Sequence, residues 1–368
     1  MENNLTNITK KDILKHYFAS LLVYGAVLIF IILCPIYYSQ IQDGTFNYMD
    51  FFIIYFVGYI FIAPIVYFIA KPRTISDSNN IKILKYITRQ FKKQDTTQDF
   101  LANIEPKEDE KQALMGLFIK TFFGVNCVHF LCSSYIPSLG YNFDFLRAIW
   151  ENITIYMNGG SGIFKSLVQY TIDTGDVWIK LIMTLTTLIL AFSYLTDSVL
   201  FKNKIKSTDT TPLGVLSCII CYYPITILTT KFISPALNEL IPINNHYLFA
   251  VLNFLIIIVN FIGLIATIRL FGKAGNLTNR GIVTGFPYNI IRHPIYLMEI
   301  LYIVLSAFPI LFLQDYPLRV KFSGAIGIII WILIYYLRSI TEERHLIKDE
   351  KYQEYVKKVR YRFIPKLF

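Results

Sequence analysis

Long oily runs and short charged stretches alternate along the chain. Eight apolar segments stand out, at about 17–38, 49–70, 113–135, 177–199, 212–234, 246–271, 295–313 and 320–338. A run of about 20 apolar residues crosses the roughly 30 Å hydrocarbon core of a bilayer as a helix. The pattern predicts an all-α, polytopic integral membrane protein with about eight transmembrane helices. Composition agrees: of 368 residues, 54% are hydrophobic and only 16% charged, against about 25% charged in a soluble domain.

Where the charges fall orients the bundle, because cytoplasmic loops are rich in Lys and Arg. Lys10, Lys11 and Lys15 precede or open the first segment, and the loop after it, "SQIQDGTFNY", holds no basic residue. Residues 71–112 carry Lys71, Arg73, Lys82, Lys85, Arg89, Lys92, Lys93, Lys107 and Lys111, whereas 136–176 hold only Arg147 and Lys165. The alternation continues through Lys202, Lys204 and Lys206, then "SPALNELIPINNH" without Lys or Arg, then Lys273, Arg280 and Arg292. A basic tail from Arg338 to Lys366 closes it. Both termini are expected in the cytoplasm. The opening segment is too long for the apolar core of a secretory signal and is expected to stay as an anchor. The expected setting is a bacterial inner membrane, with an organellar membrane as the alternative. Orientation accounts for the net charge of +10, and no nucleic-acid partner is expected. Nothing in the sequence sets the oligomeric state.

In the long second loop, "IKILKYITRQFKK" (81–93) places Leu84, Ile87 and Phe91 at helical spacing between basic residues. That pattern suits a helix lying on an anionic lipid surface. "NGGSG" (158–162) reads as a turn, since no strand-to-helix context makes it a phosphate cradle. Asn-x-Thr matches fall at Asn4, Asn7, Asn152 and Asn276, of which only Asn152 is expected outside the cytoplasm. The five cysteines, Cys34, Cys127, Cys132, Cys218 and Cys221, lie in or beside apolar runs. Cys218 and Cys221 have C-x-x-C spacing but read as small packing side chains, and no metal-ligand cluster is apparent.

Two charged clusters sit at the rims of the last two segments: "NIIRHPIYLMEI" (289–300) and "SITEERHL" (339–346). A helical hairpin with a short outer turn would bring them together at the cytoplasmic face. Singly, each residue has a plain structural explanation. Arg292 and Arg338 suit arginines reaching lipid phosphates, Pro294 suits a first helical turn, and Glu342, Glu343 and His345 suit a solvated helix face.

In combination they form a longer order: Gly285, Pro287, Tyr288, Arg292, His293, Pro294, Tyr296, then an apolar hairpin, then Glu342, Glu343, Leu346, Tyr352, Tyr355 and Pro365. That order resembles the carboxy-terminal signature of isoprenylcysteine carboxyl methyltransferases, whose superfamily includes phospholipid methyltransferases. The resemblance covers about 246–368. It divides the chain into amino-terminal membrane helices (1–245) and a methyltransferase-like membrane domain (246–368) with a cytoplasmic tail.

The resemblance implies S-adenosylmethionine as cofactor and a membrane lipid or lipidated small molecule as methyl acceptor. It implies a catalytic part for Arg292, and cofactor contacts for Tyr288, His293, Pro294, Tyr296, Glu342, Glu343, Tyr352 and Tyr355. The residue chemistry suits these parts. Adjacent carboxylates accept hydrogen bonds from an ammonium or ribose, Arg292 or His293 can meet a carboxylate, and tyrosine faces suit adenine or a sulfonium. Glu342 and Glu343 lie about 100° apart around a helix, so one of them is expected to face the pocket. The chain departs from the pattern at Phe286 and Met298, where glycines are usual, and is shorter between Leu346 and Tyr352.

Two rivals stay open. "VRYRFIP" also resembles the end of membrane sterol reductases, which implies NADPH. A transporter or scaffold would show ionisable residues inside several spans, or interrupted spans in corresponding halves. Here charges inside spans are few, and no second half repeats the first.

Overall fold

The computed structural model describes residues 9–34, 47–70, 78–91, 104–140, 144–158, 163–198, 201–227 and 242–366. α1 (Lys10–Leu33) begins where Thr9 and Asp12 cap each other. The Asp12 amide donates to Thr9 Oγ1 at 3.2 Å and the Thr9 amide to Asp12 Oδ2 at 3.0 Å, which serves donors that a first helical turn leaves open. At 24 residues the helix is about 36 Å long, enough for the hydrocarbon core.

There follow α2 (Tyr48–Ala70), α3 (Asn79–Gln90), α4 (Glu108–Leu139), α5 (Asp144–Asn158), α6 (Ile163–Leu195) and α7 (Pro212–Ile219). The last third holds α8 (His246–Leu270), α9 (Pro294–Leu313), α10 (Leu318–Leu346) and α11 (Glu350–Lys358). Among the described residues seven helices, α1, α2, α4, α6, α8, α9 and α10, are long and apolar enough to cross a membrane. Large apolar side chains such as Phe18, Ile69, Phe254 and Phe322 stand exposed on them. Such faces are unfavourable in water and suited to lipid. The chain is an all-α, multi-pass membrane protein.

The remaining expected segment, 212–234, takes a different form where it is described. α7 is a short helix capped by Thr211, whose Oγ1 accepts from the Gly214 amide at 3.3 Å. Turns at 220–224 follow, with a cis peptide at Tyr223–Pro224, and residues 228–234 lie outside the described set. The two sides of this stretch nonetheless sit at opposite ends of the bundle. Asp209 pairs with Arg344 at 3.3 Å near the end of α10. The Pro242 carbonyl accepts from Gln314, just before α10 begins, at 2.7 Å. Residues 209 and 242 therefore stand at opposite ends of the bundle.

Described parts of the loops rich in Lys and Arg meet at one end. A two-residue antiparallel bridge joins β1 (Ser207–Thr208) to β2 (Thr278–Asn279), with Ser207 opposite Asn279. Gln112 Oε1 accepts from the Thr208 amide at 2.7 Å, and Asp349 accepts from Asn279 Nδ2 at 2.9 Å and pairs with Lys206 at 3.3 Å. That donor from Asn279 holds the Asp349 carboxyl below its ordinary value.

α3 belongs to this end, and part of its apolar surface is seated on protein. Ile83 and Leu84 pack against Val23 of α1 and Ala113 and Leu114 of α4. Asn80 donates to Ser20 Oγ at 2.9 Å, and Arg89 grips Glu110 at 2.7 Å. An apolar seat with a carboxylate at its rim satisfies both faces of α3, and burying one such aliphatic side chain is worth roughly 1.5–3 kcal/mol. Ile87 and Phe91 alone of its apolar positions stay exposed.

α6 and α8 pack along their lengths across the 245/246 division. Gly175 permits this approach, since a Cβ there would stand 3.0 Å from Asn253 Oδ1.

Candidate functional site

α9 and α10 form the expected hairpin, and it brings the two charged clusters together. Glu343 accepts from Arg292 Nε at 2.7 Å, from His293 Nε2 at 2.9 Å and from Arg362 Nη2 at 2.7 Å. A carboxylate can only accept, so Nε2 carries the imidazole proton. Arg292 Nη1 also donates to the carbonyls of Val359 (2.9 Å) and Arg360 (2.5 Å). The backbone amides of Arg292 and His293 donate to the carbonyls of Tyr361 and Arg362, both at 3.0 Å. The segment after α11 is thus strapped alongside residues 292–293. The hydrogen bond to Glu343 raises the Arg362 guanidinium further above its ordinary range.

Glu342 turns the other way, as successive helical residues must. Its Oε2 accepts from Tyr296 Oη at 2.6 Å and lies 3.8 Å from His293 Nδ1. It lines a cavity of about 200 Å³ between α9, α10, α11 and the loop before α9.

Tyr288, Arg292, His293, Pro294, Tyr296, Glu342, Tyr352 and Tyr355 all border this cavity, and Glu343 does not. Glu343 stands off the cavity wall, its carboxylate held by Arg292, His293 and Arg362. Arg292 borders the cavity with its planar fork taken up by Glu343 and two carbonyls. Pro294 opens α9 at its first turn.

Tyr352 and Tyr355 share the inner face of α11, and Tyr355 Oη donates to the Tyr288 carbonyl at 2.6 Å. Burial pushes the phenols of Tyr288, Tyr352 and Tyr355 up, so they remain proton donors. The hydroxyls of Tyr288 and Tyr352 find no partner among the described residues. A buried hydroxyl left so costs roughly 1–3 kcal/mol, which a ligand bearing acceptors would relieve.

Sequence reasoning missed part of the wall. Glu299, three residues after Tyr296, and Arg338, four before Glu342, also line the cavity. Helical spacing was the available signal, since residues three or four apart share a face. Arg338 is buried, with its guanidinium 4.8 Å from the Tyr296 ring centre and 5.4 Å from that of Tyr335. Its Nη2 donates to Asn276 Oδ1 at 2.7 Å, and its Nε has no partner among the described residues. Asn276, notable in the sequence only as a glycosylation match, is buried and donates Nδ2 to Tyr222 Oη at 2.9 Å.

Lys273 and Arg280 also line the cavity. Gly281 also lines it and takes a φ of 106°, which glycine adopts without strain. Among the described residues no group of three His, Cys, Asp or Glu side chains could hold a metal ion. No protein-family model, curated protein or solved structure matches the chain.

Proposed function

We propose that this protein is an integral membrane methyltransferase that carries a methyl group from S-adenosylmethionine to a lipid-borne acceptor. The basic end of the bundle would face the cytoplasm of a bacterial cell, in keeping with the Lys/Arg bias of its loops. One observation carries the proposal: Glu342, held by Tyr296, lines a cavity whose wall includes the partnerless hydroxyls of Tyr288 and Tyr352. Carboxylate, hydroxyl donors and aromatic faces are the groups that an ammonium, a ribose and an adenine require.

When bound, S-adenosylmethionine supplies an electrophilic methyl on a sulfonium, already a good leaving group. The protein's part is then mainly positioning. Glu342 accepts from the ammonium or a ribose hydroxyl, and the tyrosine faces of 288, 352 and 355 enclose the base. Arg338, carried on the Tyr296 and Tyr335 rings, has donors left for a carboxylate. A carboxylate acceptor needs no base, whereas an ammonium acceptor must first lose a proton. Glu299 on the same wall is the group placed to take it.

The cations in the cavity wall, Lys273 and Arg280, favour one alternative, since they would also suit a phosphate of NADPH. Titration calorimetry on the detergent-purified chain separates the two. Saturable heat with S-adenosylmethionine and none with NADPH is expected, and the opposite pattern would replace the methyltransferase with a reductase.

A further inference from the structure

The chain between α8 and α9 puts two cations into the wall of the cavity described above. Lys273 stands just past the end of α8, and Arg280 directly follows β2. Arg280 is buried and donates Nη1 to the carbonyls of Thr196 and Asn203, both at 2.9 Å. Those bonds fix the guanidinium without neutralising it. Its Nε and Nη2 find no partner among the described residues. The turn at Gly281 brings the second cation alongside, since a Cβ there would stand 3.7 Å from Lys273 Nζ.

The carboxylates in reach are committed elsewhere. Asp197 acts on Arg280 through space but pairs with Lys120 at 3.4 Å. Asp349 pairs with Lys206 at 3.3 Å and accepts from Asn279. Glu299 and Glu342 line the same cavity, and Glu342 accepts from Tyr296. Among the described residues no ion pair involves Lys273 or Arg280. A cation taken out of water is costly until an anion meets it.

We propose that Lys273 and Arg280 form a phosphate subsite in this cavity, which holds a ligand by a phosphate monoester or diester. A phosphate offers more acceptor oxygens than a carboxylate, and so suits a planar fork and an ammonium arriving from different directions. The cavity, at about 200 Å³, leaves room for part of the group that the phosphate carries. Methyl transfer requires no such group, so the subsite stands or falls apart from that reading.

Titration calorimetry of the full chain in detergent tests this with three probes: dihexanoyl phosphatidylglycerol, dihexanoylglycerol and inorganic phosphate. Saturable heat is expected with a phosphate-bearing probe and none with dihexanoylglycerol. The tighter of the two phosphate probes identifies the source as lipid or free phosphate. Lys273→Gln should weaken that probe by roughly tenfold, as loss of a charge-assisted contact does. The exposed control Lys202→Gln should leave it unchanged. Arg280→Gln should weaken it too, but Lys273 decides, because Arg280 also braces the chain at Thr196 and Asn203. Equal heat with dihexanoylglycerol, or parent-like affinity in Lys273→Gln, would overturn the proposal. So would a Lys273→Gln that weakens S-adenosylmethionine and not the phosphate probe, since the cations would then serve the cofactor's carboxylate. NADPH binding that Lys273→Gln weakens would keep the subsite and remove the methyltransferase.

Discussion

Glu343 accepts hydrogen bonds from two arginines and a histidine, and Glu342 from one tyrosine, so one substitution should read out differently at the two positions. Glu343→Gln leaves Arg292 and Arg362 facing a neutral amide in a partly enclosed site. The expected loss is about 3 kcal/mol of stability, the low end for breaking a buried pair because Arg362 is partly solvated. A fall in the unfolding temperature of the detergent-solubilised protein would register it, and an unchanged temperature would remove Glu343 as the brace. Arg292→Lys tests the same brace from the other side. One ammonium cannot reach a carboxylate and two carbonyls at once, so the melt should shift well beyond that of the exposed control Arg360→Lys. Equal shifts would return Arg292 to the part of a lipid-phosphate anchor. The spacing of the glutamates showed that they diverge, but not which one meets the cavity. That depends on where the strap after α11 lies, and Val359 reaches Arg292 across 67 residues of chain.

Helices built from unbroken apolar runs were legible because a single requirement, lipid on most sides, shapes their whole length. α3 was legible as a helix, but the protein seat under Ile83 and Leu84 was not. An amphipathic face states that something apolar covers it, and the composition of 81–93 suits lipid and protein equally. Its seat comes from Val23 and Ala113, distant in sequence and each small. Ile83→Ala should therefore cost roughly 2–5 kcal/mol as a core truncation, whereas Phe91→Ala, at an exposed position, should stay within about 0.5 kcal/mol. Thermal unfolding in detergent separates these outcomes, and similar small effects at both would mean that Ile83 has no stabilising seat. The stretch after α7 shows the opposite limit. Its apolar content gives no sign of the turns at 220–224, which leave Tyr222 free to meet Asn276.

For the whole molecule, the seven described spans, with 209 and 242 at opposite ends of the bundle, predict Asn158 and Leu318 on one side of the membrane and Lys202 on the other. Single cysteines at these positions, in a background lacking the five native ones, should label accordingly. Asn158→Cys and Leu318→Cys should react with an impermeant maleimide on intact cells, and Lys202→Cys only after permeabilisation. If Asn158 and Leu318 label from opposite sides, the chain between 209 and 242 does not cross. The strap and the cavity lie at the end that this topology assigns to the cytoplasm. The most direct measurement is transfer of labelled methyl from S-adenosylmethionine into the organic extract of membranes carrying the protein. The parent chain should give label above membranes without it. Glu342→Gln should give roughly tenfold to a hundredfold less at limiting cofactor, as loss of a charge-assisted hydrogen bond predicts, with an unchanged folded fraction. Background label from the parent, or parent-like label from Glu342→Gln, would contradict the assignment.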